Sequence, residues 1–413
     1  MYRFSLAAFV LVLASYRTGS AADWPEFRGP TGEGIATVTG LPIEWGPDKN
    51  VVWKTPVPGL GWSSPIVLGD QIFLTTAVAA DETRNGPQSL RVLAFDVDTG
   101  ESKWNVEVFA PKKTSMHQKN SHASPTPITD GERVFVHFGS YGTAALSTDG
   151  EILWRQTEID YRMQHGTGGS PILVDDLLIF SCDGSDVQFM IALDKATGKI
   201  RWKKDRPAIA GSRKFAFSTP LAIEVDGQTQ IVSPATDQVV AYAPQDGREL
   251  WSLPYSGYSV IPRPVYGGGL LYLATSYNNS ELLAIRPGTK GSEAEIVWRL
   301  QRGAPHTPSV VYVDGNVYLV SDRGIGSCVD AKTGDVIWQQ RLGGNYSASP
   351  LYAEGRVYFQ SEQGQGTVIR AADEFEVLAT NDLQEGTLAS YAVVEKDFLI
   401  RTETQLYRVS ANP

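Results

Sequence analysis

The chain has 413 residues, of which 20% are charged and 42% hydrophobic, as in ordinary globular proteins. Its formal net charge of −10 argues against a nucleic-acid partner, because phosphate binding requires a basic face. The same acidity is a poor match to anionic lipid. The 40 glycines and 24 prolines are typical of a chain with many tight turns between short strands.

The first 22 residues have the pattern of a signal peptide. Arg3 supplies a positive charge, residues 6–16 are mostly apolar, and residues 19–22 are small enough for cleavage. The apolar run is too short to span a bilayer, and no cysteine follows it to carry a lipid anchor. We therefore expect an exported, soluble protein, periplasmic or secreted, that is neither a lipoprotein nor a transmembrane protein.

Residues 23–50 precede the first predicted strand and are rich in glycine and proline. A disordered tail would seldom carry three large aromatic residues, whereas this segment has Trp24, Phe27 and Trp45. We predict that it is an ordered strap across one face of the following domain.

One sequence motif then recurs along the chain: a tight turn ends in glycine, and a tryptophan follows four residues after that glycine. Asp and Thr side chains favour such a turn, and glycine accepts the positive φ that closes it. A single sheet cannot bury the tryptophan alone, but a neighbouring sheet can cover it, and repeating that contact around a circle gives a propeller. The pairs are Gly100 with Trp104, Gly150 with Trp154, Gly198 with Trp202, Gly247 with Trp251, and Gly334 with Trp338.

A second marker, usually a small residue followed by proline, opens an apolar run before each glycine–tryptophan motif. Proline at the first residue of a strand removes no sheet hydrogen bond, so these markers predict the innermost strands, which line a central channel. The markers are Ser64-Pro65, Ser124-Pro125, Ser170-Pro171, Thr219-Pro220, Arg263-Pro264, Thr307-Pro308, Ser349-Pro350 and Ser390-Tyr391.

These eight markers predict an all-β fold, an eight-bladed propeller of four-stranded antiparallel blades over residues 51–413. The last blade has only three strands before Val409, and the strand around Trp53 has no blade before it. The two fragments complete each other, so the N-terminal strand is expected to close the ring. Cys182 and Cys328 belong to blades three apart, which predicts two free, buried thiols. We expect a monomer.

The repeated pattern, as in Ala192-Leu193-Asp194-Lys195-Ala196-Thr197-Gly198 with Trp202, resembles the pyrroloquinoline-quinone-type repeat of the quinoprotein alcohol dehydrogenase-like propellers. The resemblance covers residues 53–409. An exported, unanchored chain is most similar to the non-enzymatic branch that includes outer-membrane protein assembly factor B. WD40-type propellers have Gly-His and Trp-Asp dipeptides at a regular phase, which this chain lacks.

The enzymatic members of the family that this chain resembles hold the quinone with adjacent disulfide-bonded cysteines, a tryptophan platform, a calcium bound by Glu and Asn, and a catalytic Asp. This sequence has no adjacent cysteines and is short for that branch, and no position has the flanks of the calcium ligands or the catalytic Asp. No catalytic residue, metal ligand or cofactor is therefore predicted, although the repeat type leaves the quinone open.

Polar residues near the inner-strand markers suggest a ligand site at one mouth of the channel. His122, His165, Arg263 and His306 fall near one phase of the repeat, and Trp62 could add a stacking surface. Arg213, Lys214, Tyr258 and Tyr346 are close in phase and would add donors. An alternative is that these residues only bond neighbouring blades and channel water.

Three functions remain open from the sequence. The first is an exported, non-catalytic scaffold that binds a protein or a glycan at a propeller face, which a complete fold without a complete catalytic set favours. The second is a quinone-dependent oxidoreductase. The third is a hydrolase or lyase that acts on polysaccharide.

Overall fold

The computed structural model describes residues 23–81, 83–209, 211, 213–277 and 279–413. The predicted signal peptide, residues 1–22, lies outside the described residues. Eight four-stranded antiparallel sheets form an eight-bladed propeller, which confirms the predicted fold class. One 3-10 turn, Gly139–Tyr141, interrupts the strands, and none of the described helical segments has the length and apolarity to cross a bilayer.

The strands follow one another from the channel outward in each blade, after an initial strand β1 (Val51–Pro56). Blade 1 contains β2 (Ile66–Leu68), β3 (Gln71–Ala79), β4 (Gln88–Asp96) and β5 (Ser102–Phe109), and blade 2 contains β6 (Ile128–Thr129), β7 (Arg133–His137), β8 (Thr143–Ser147) and β9 (Ile152–Gln156). Blade 3 contains β10 (Ile172–Val174), β11 (Leu177–Asp183), β12 (Gln188–Asp194) and β13 (Ile200–Asp205), and blade 4 contains β14 (Leu221–Val225), β15 (Gln228–Ala235), β16 (Gln238–Tyr242) and β17 (Glu249–Pro254).

The second half of the ring repeats the arrangement. Blade 5 contains β18 (Val265–Gly267), β19 (Leu270–Ala274), β20 (Leu282–Arg286) and β21 (Glu295–Leu300), and blade 6 contains β22 (Val311–Val313), β23 (Asn316–Val320), β24 (Ile325–Asp330) and β25 (Val336–Arg341). Blade 7 contains β26 (Leu351–Ala353), β27 (Arg356–Gln360), β28 (Gln365–Arg370) and β29 (Val377–Asp382), and blade 8 contains β30 (Ala392–Val394), β31 (Asp397–Arg401) and β32 (Gln405–Val409).

Strand β1 supplies the outer strand of blade 8, as the sequence predicted. It pairs antiparallel with β32, with Lys54 opposite Tyr407 and Thr55 opposite Leu406. The first and last strands of the propeller therefore share one sheet, and blade 8 has four strands like the other blades.

The recurring glycine and tryptophan meet between blades rather than within one blade. The Trp154 indole of blade 2 donates to the Lys195 carbonyl of blade 3 over 3.1 Å, and a Cβ built on Gly198 would lie 2.5 Å from its ring. The turn glycine of one blade thus lies on the outer-strand tryptophan of the blade before it. The same arrangement joins Gly100 to Trp53, Gly150 to Trp104, Gly247 to Trp202, Gly288 to Trp251, and Gly334 to Trp298.

A second set of inter-blade bonds surrounds the channel where the inner strands begin. At each of seven junctions a backbone N–H donates to a serine or threonine hydroxyl of the next blade, over 2.9 to 3.2 Å. We call the seven accepting residues the hydroxyl belt: Ser64, Thr126, Ser170, Thr219, Ser309, Ser349 and Ser390. Arg263 occupies the equivalent position of blade 5.

The belt corrects two of the predicted inner-strand markers. In blade 2 the equivalent residue is Thr126 rather than Ser124, and in blade 6 it is Ser309 rather than Thr307. Both blades have a second candidate two residues after the predicted one, so the sequence pattern alone could not choose the register. The hydrogen bonds fix it.

Residues 23–50 cross the face of the propeller opposite the loops that lead into the inner strands. Trp24 pairs with Val67 of blade 1, and the Arg263 guanidinium of blade 5 donates to the Phe27 carbonyl over 2.7 Å. Blades 1 and 5 are opposite in an eight-membered ring, so the segment passes over the channel axis. It then pairs with blade 7 through Ile35 and Tyr352, and Trp45 packs edge-on against Tyr391 of blade 8.

The two cysteines are free and buried, Cys182 in β11 of blade 3 and Cys328 in β24 of blade 6. Both lie among apolar side chains, and burial raises their pKa values, to about 12 for Cys328. Neither thiol is therefore activated as a nucleophile.

One inter-blade contact is titratable. The His137 imidazole of blade 2 is 3% exposed and lies 4.2 Å from the Phe180 ring of blade 3, centroid to centroid. Its Nδ1 is 2.8 Å from the Thr143 hydroxyl. Burial lowers the pKa of His137 to about 3, so the folded protein holds this imidazole neutral.

The glycine–tryptophan contact predicts unequal effects of two glycine replacements. Gly198 and Gly227 both have φ near +71°, but nothing lies within 4 Å of a Cβ at Gly227. Both Gly198→Ala and Gly227→Ala impose about 1–2 kcal/mol of backbone strain, and Gly198→Ala loses about 1–3 kcal/mol more because the methyl group meets Trp154. Urea unfolding measures both variants, and equal losses would contradict the contact.

The buried imidazole predicts a stability loss in acid. An unfolded histidine binds a proton below pH 6.5, whereas folded His137 does not until about pH 3, so the stability contribution is lost as pH falls through that window. Between pH 7 and 4.5 the wild type should lose about 2–3 kcal/mol more unfolding free energy than His137→Gln. Urea titrations at both pH values test this, and parallel losses in the two proteins would refute it.

Candidate functional site

The channel holds a cavity of about 840 Å³. All seven residues of the hydroxyl belt line it, together with the loops that lead into the inner strands. Phe27 of the strap also lines it, at the end opposite the loops. At the loop end the exposed Lys119 and Tyr277 lie at its border. The cavity is therefore a funnel that is open at this mouth and closed by the strap at its floor.

Buried charges anchor the floor. Arg263 donates to the Pro220 and Phe27 carbonyls and to the Glu26 carboxylate, the last over 3.0 Å. Arg28 is 2% exposed and donates to the Val310 carbonyl over 2.6 Å. Burial, and then the nearby Arg263, lower the pKa of Arg28 to about 9, while burial raises the pKa of Glu26 against the opposing effect of Arg263. These contacts fix the strap across the axis.

One wall of the mouth is a continuous arc of aromatic rings contributed by the loops of blades 2 to 6. Neighbouring ring centroids along the arc are 5.2 to 5.9 Å apart. This is the spacing of edge-to-face and tilted aromatic pairs, so the rings hold one another in place. The arc consists of His117, His165, Phe215, Phe217, Tyr258, Tyr277 and His306.

The opposite wall, from blades 7, 8 and 1, presents small polar residues and two larger side chains. Ser347 and three belt serines line it, and Trp62 and Leu388 add apolar surface. The Trp62 indole N–H is buried and has no partner among the described residues. The funnel is thus aromatic on one side and rich in hydroxyls on the other.

The lining residues of the mouth include two basic side chains, although the whole chain is acidic. Among the lining residues are Lys119 and Arg213, against a single carboxylate, Asp322. Arg213 lies 4.9 Å from the Tyr258 ring centroid and donates to its hydroxyl over 3.0 Å. Burial and the neighbouring His117 lower the pKa of His165, so this imidazole is neutral at pH 7. The Asp322 carboxylate accepts the backbone N–H of His306 over 2.6 Å.

An ion pair spans the mouth. The Lys119 ammonium lies 2.6 Å from the Glu362 carboxylate, which also accepts the Ser347 hydroxyl. The segment that carries Lys119 is bonded to blade 3, where His117 N–H donates to the His165 carbonyl over 3.1 Å. Glu362 belongs to blade 7, four blades away and therefore on the opposite side of the ring. The bridge divides the opening of the funnel.

The structure brings together three of the five residues proposed for the mouth. Trp62, His165 and His306 line the cavity, as do Arg213 and Tyr258 from the wider set. Lys214 and Tyr346 are not among the lining residues, and the Tyr346 ring is buried.

Two of the proposed residues do not face the mouth. His122 is 2% exposed, with its Nε2 bonded to the Arg84 carbonyl and its ring against Tyr141. Arg263 points into the floor. Arg263 occupies the belt position itself, whereas His122, His165 and His306 precede their belt residues by four, five and three positions.

Sequence reasoning missed most of the aromatic arc. His117, Phe215, Phe217 and Tyr277 come from loops of different length, so no repeat phase connects them. The available signal was that aromatic residues cluster in the loops before the inner strands of blades 3 to 5, as in Phe215-Ala216-Phe217. Lys119 gave no signal, because its partner Glu362 is distant in the sequence.

The described residues do not match the quinone site that the resemblance implies. The cysteines are buried in two separate blades and cannot form an adjacent-cysteine platform in the channel. Asp322 is the one carboxylate among the described lining residues, and no cluster of three or more His, Cys, Asp or Glu side chains in the described ranges is arranged to hold a metal ion. We derive no quinone chemistry from this cavity.

Comparison with solved structures agrees on the fold. BamB from Moraxella catarrhalis is 15% identical, with a TM-score of 0.52 over 75% of this chain and 96% of that one. The quinohemoprotein alcohol dehydrogenase ADHIIG from Pseudomonas putida HK5 is 12% identical, with a TM-score of 0.62 over 95% and 80%. The computationally designed Ika8 protein is 10% identical, with a TM-score of 0.60 over 91% and 99%. These identities establish a shared propeller fold only.

Comparison by sequence gives the family. No curated protein matches the chain at a significant level. The model of the family described as outer membrane protein assembly factor BamB matches residues 34–157, 91–208, 142–294 and 290–377. These overlapping matches extend over most of the strap and seven of the blades. The chain therefore belongs to the outer membrane protein assembly factor BamB family of pyrroloquinoline-quinone-type repeat propellers.

Proposed function

We propose that this protein is an exported, non-catalytic propeller that binds a protein or glycan partner at the mouth of its channel. The observation that supports this proposal most is the funnel of about 840 Å³, which is closed at its floor and has the aromatic arc on one wall. Ligand sites are concave, largely apolar, and contain a few convergent polar groups. The funnel has that composition, with Arg213, His306 and the belt hydroxyls beside the rings.

The family supports a binding role. Its description is that of an outer membrane protein assembly factor, which is a role in bringing proteins together rather than in chemistry. An assembly factor of the outer membrane acts in the periplasm, so we place this protein there as well. The expected signal peptide agrees with that location.

The chemistry of the lining supports binding over hydrolysis. Glycoside hydrolysis uses two carboxyl groups on either side of the scissile bond. Among the described lining residues the carboxylate is Asp322, which already accepts a backbone N–H. A polysaccharide would therefore be held in this funnel without being cleaved.

Two replacements at the mouth should weaken partner binding without unfolding the protein. Tyr277 is 54% exposed at the mouth, and His306 is half-buried with its Nδ1 lacking a protein partner among the described residues. Each of Tyr277→Ser and His306→Ala should raise the Kd of a partner about fivefold or more, as expected for contact residues that contribute at least 1 kcal/mol. Calorimetry against the best binders from an oligosaccharide panel and a peptide panel measures the change.

Two controls distinguish the mouth from the rest of the surface. Val336→Ser changes a 44% exposed apolar residue on the outer strand of blade 6, and His122→Ala changes an imidazole outside the cavity. Both should keep the affinity of the wild type. Tight stoichiometric binding of pyrroloquinoline quinone with reduction of a dye, or release of reducing ends from a bound glycan, would overturn the non-catalytic proposal.

A further inference from the structure

The hydroxyl belt has unused hydrogen-bond donors. A serine or threonine hydroxyl has one proton to donate and two lone pairs to accept with. Each of the seven belt oxygens accepts a backbone N–H from the neighbouring blade. None of them donates its own proton to a protein acceptor among the described residues. All seven are at most 8% exposed and line the cavity.

Some buried hydroxyls outside the belt donate their protons to backbone carbonyls. Ser218, next to the belt residue Thr219, donates to the Pro262 carbonyl over 2.8 Å. Ser276 and Thr387 also donate to backbone carbonyls, over 2.8 and 2.6 Å. Buried hydroxyls that only accept a hydrogen bond also occur outside the cavity lining, as at Ser361, so the belt is distinct because its seven unused donors all line one cavity. Water can take them in the free protein, and a ligand that offers oxygen acceptors displaces that water.

More donors surround the belt on the mouth side. The buried Trp62 indole N–H has no protein partner among the described residues. Arg213 contributes a guanidinium whose contacts within the described structure are with Tyr258. Asp322, the described carboxylate of the lining, already accepts an N–H. The funnel therefore has many donors and few free anionic acceptors, which favours a ligand that carries negatively charged oxygen.

The shape of the funnel restricts how such a ligand enters. Phe27 and the Arg263 contacts close the floor, so a polymer cannot pass through the channel and only a chain end fits. The rings of the aromatic arc line the same cavity and give it apolar surface that can pack against a flat, partly apolar ligand. A sugar ring presents C–H bonds on its face and oxygens around its edge, which matches an aromatic wall on one side and a ring of hydroxyl donors around it.

We propose that the funnel binds the end of an acidic oligosaccharide, with a uronate carboxylate held by the hydroxyl belt and a sugar ring against the aromatic arc. This inference rests on the proposed function and names the ligand class of the same site. A peptide end bears one carboxylate and would use a small part of the belt. An acidic saccharide bears oxygen acceptors all around each ring, as the belt bears donors.

The first test needs no variant and uses trigalacturonate and its methyl ester as probes. The ester keeps the sugar rings and removes the charge. Calorimetry on the full-length protein should give a Kd for the acid at least about tenfold lower than for the ester, because hydrogen bonds to charged groups contribute about 1.5–3 kcal/mol. Equal affinities would overturn the anionic ligand but leave a glycan-binding propeller.

The second test assigns the effect to the belt. The Ser170→Ala/Ser349→Ala variant removes one donor on each side of the funnel, and the Kd of trigalacturonate should rise about tenfold or more. Ser218→Ala is the matched control, since that buried hydroxyl adjoins the belt but donates its proton to the Pro262 carbonyl. Its Kd should stay within about twofold of the wild type. If both variants weaken binding equally, the loss comes from packing and the belt is not the site.

Other ligands give distinguishable results. If a peptide binds in a manner that depends on His306 and neither saccharide binds, the acidic-saccharide inference is wrong and the proposed binding function stands. If pyrroloquinoline quinone displaces trigalacturonate and supports dye reduction, the funnel is a cofactor site and both proposals fall. Should the double variant not fold, the acid and ester comparison on the wild type still decides the question.

Discussion

The contact between a tryptophan of one blade and a turn glycine of the next determines the rest of this structure. Large aromatic side chains carry much of a core's burial energy, and removing a packed tryptophan costs about 3–5 kcal/mol. Here the indole also donates to a carbonyl of the next turn, as Trp104 does to Thr148 over 2.8 Å. A side chain at the glycine would collide with the ring at six of the junctions, and five of these glycines also have a positive φ. Each such contact fixes the angle and distance of one blade to the next.

The inner strands follow from that outer constraint. Once the blades are spaced by the tryptophan contacts, their first inner residues come close enough for a backbone N–H to reach the hydroxyl of the next blade. Ser349 N–H reaches Ser390 over 2.9 Å, and Ser390 N–H reaches Ser64 over 3.2 Å across the closure. The belt is therefore continuous where the N-terminal and C-terminal halves of the ring meet. Each belt oxygen accepts an inter-blade hydrogen bond through a lone pair, and its own proton remains available to a group in the channel.

The periodic part of this structure could be predicted from the sequence, whereas little of the non-periodic part could. The glycine–tryptophan interval and the inner-strand markers predicted the blade number, the strand order and the closure by β1, because every blade must meet the same neighbour in the same way. The markers failed by two residues in blades 2 and 6, where Thr126 and Ser309 rather than Ser124 and Thr307 accept the inter-blade bond.

The site departs from periodicity, so it could not be predicted by phase. Loops before the inner strands differ in length, and the aromatic arc comes together because the ring brings Phe215 of blade 4 beside Tyr258, and Tyr258 beside Tyr277 in a second loop of blade 5. Trp62, His165 and His306 were found because they are unusual residue types close to the markers. Lys119 and Glu362, which are 243 positions apart, meet because the loop that carries Lys119 is bonded to blade 3, on the opposite side of the ring from blade 7.

The single break in the belt shows how the fold makes a closed site from a repeated unit. A ring of identical blades would leave a channel open at both ends. Arg263 stands where the other blades have a hydroxyl, and its guanidinium reaches the floor to hold Glu26 and the Phe27 carbonyl of the strap. The same N-terminal region that closes the ring through β1 thus closes the channel through Phe27. Arg263 in one blade thus helps to hold the strap that turns a symmetric pore into a funnel with a floor, and only a funnel can distinguish the end of a ligand from its middle.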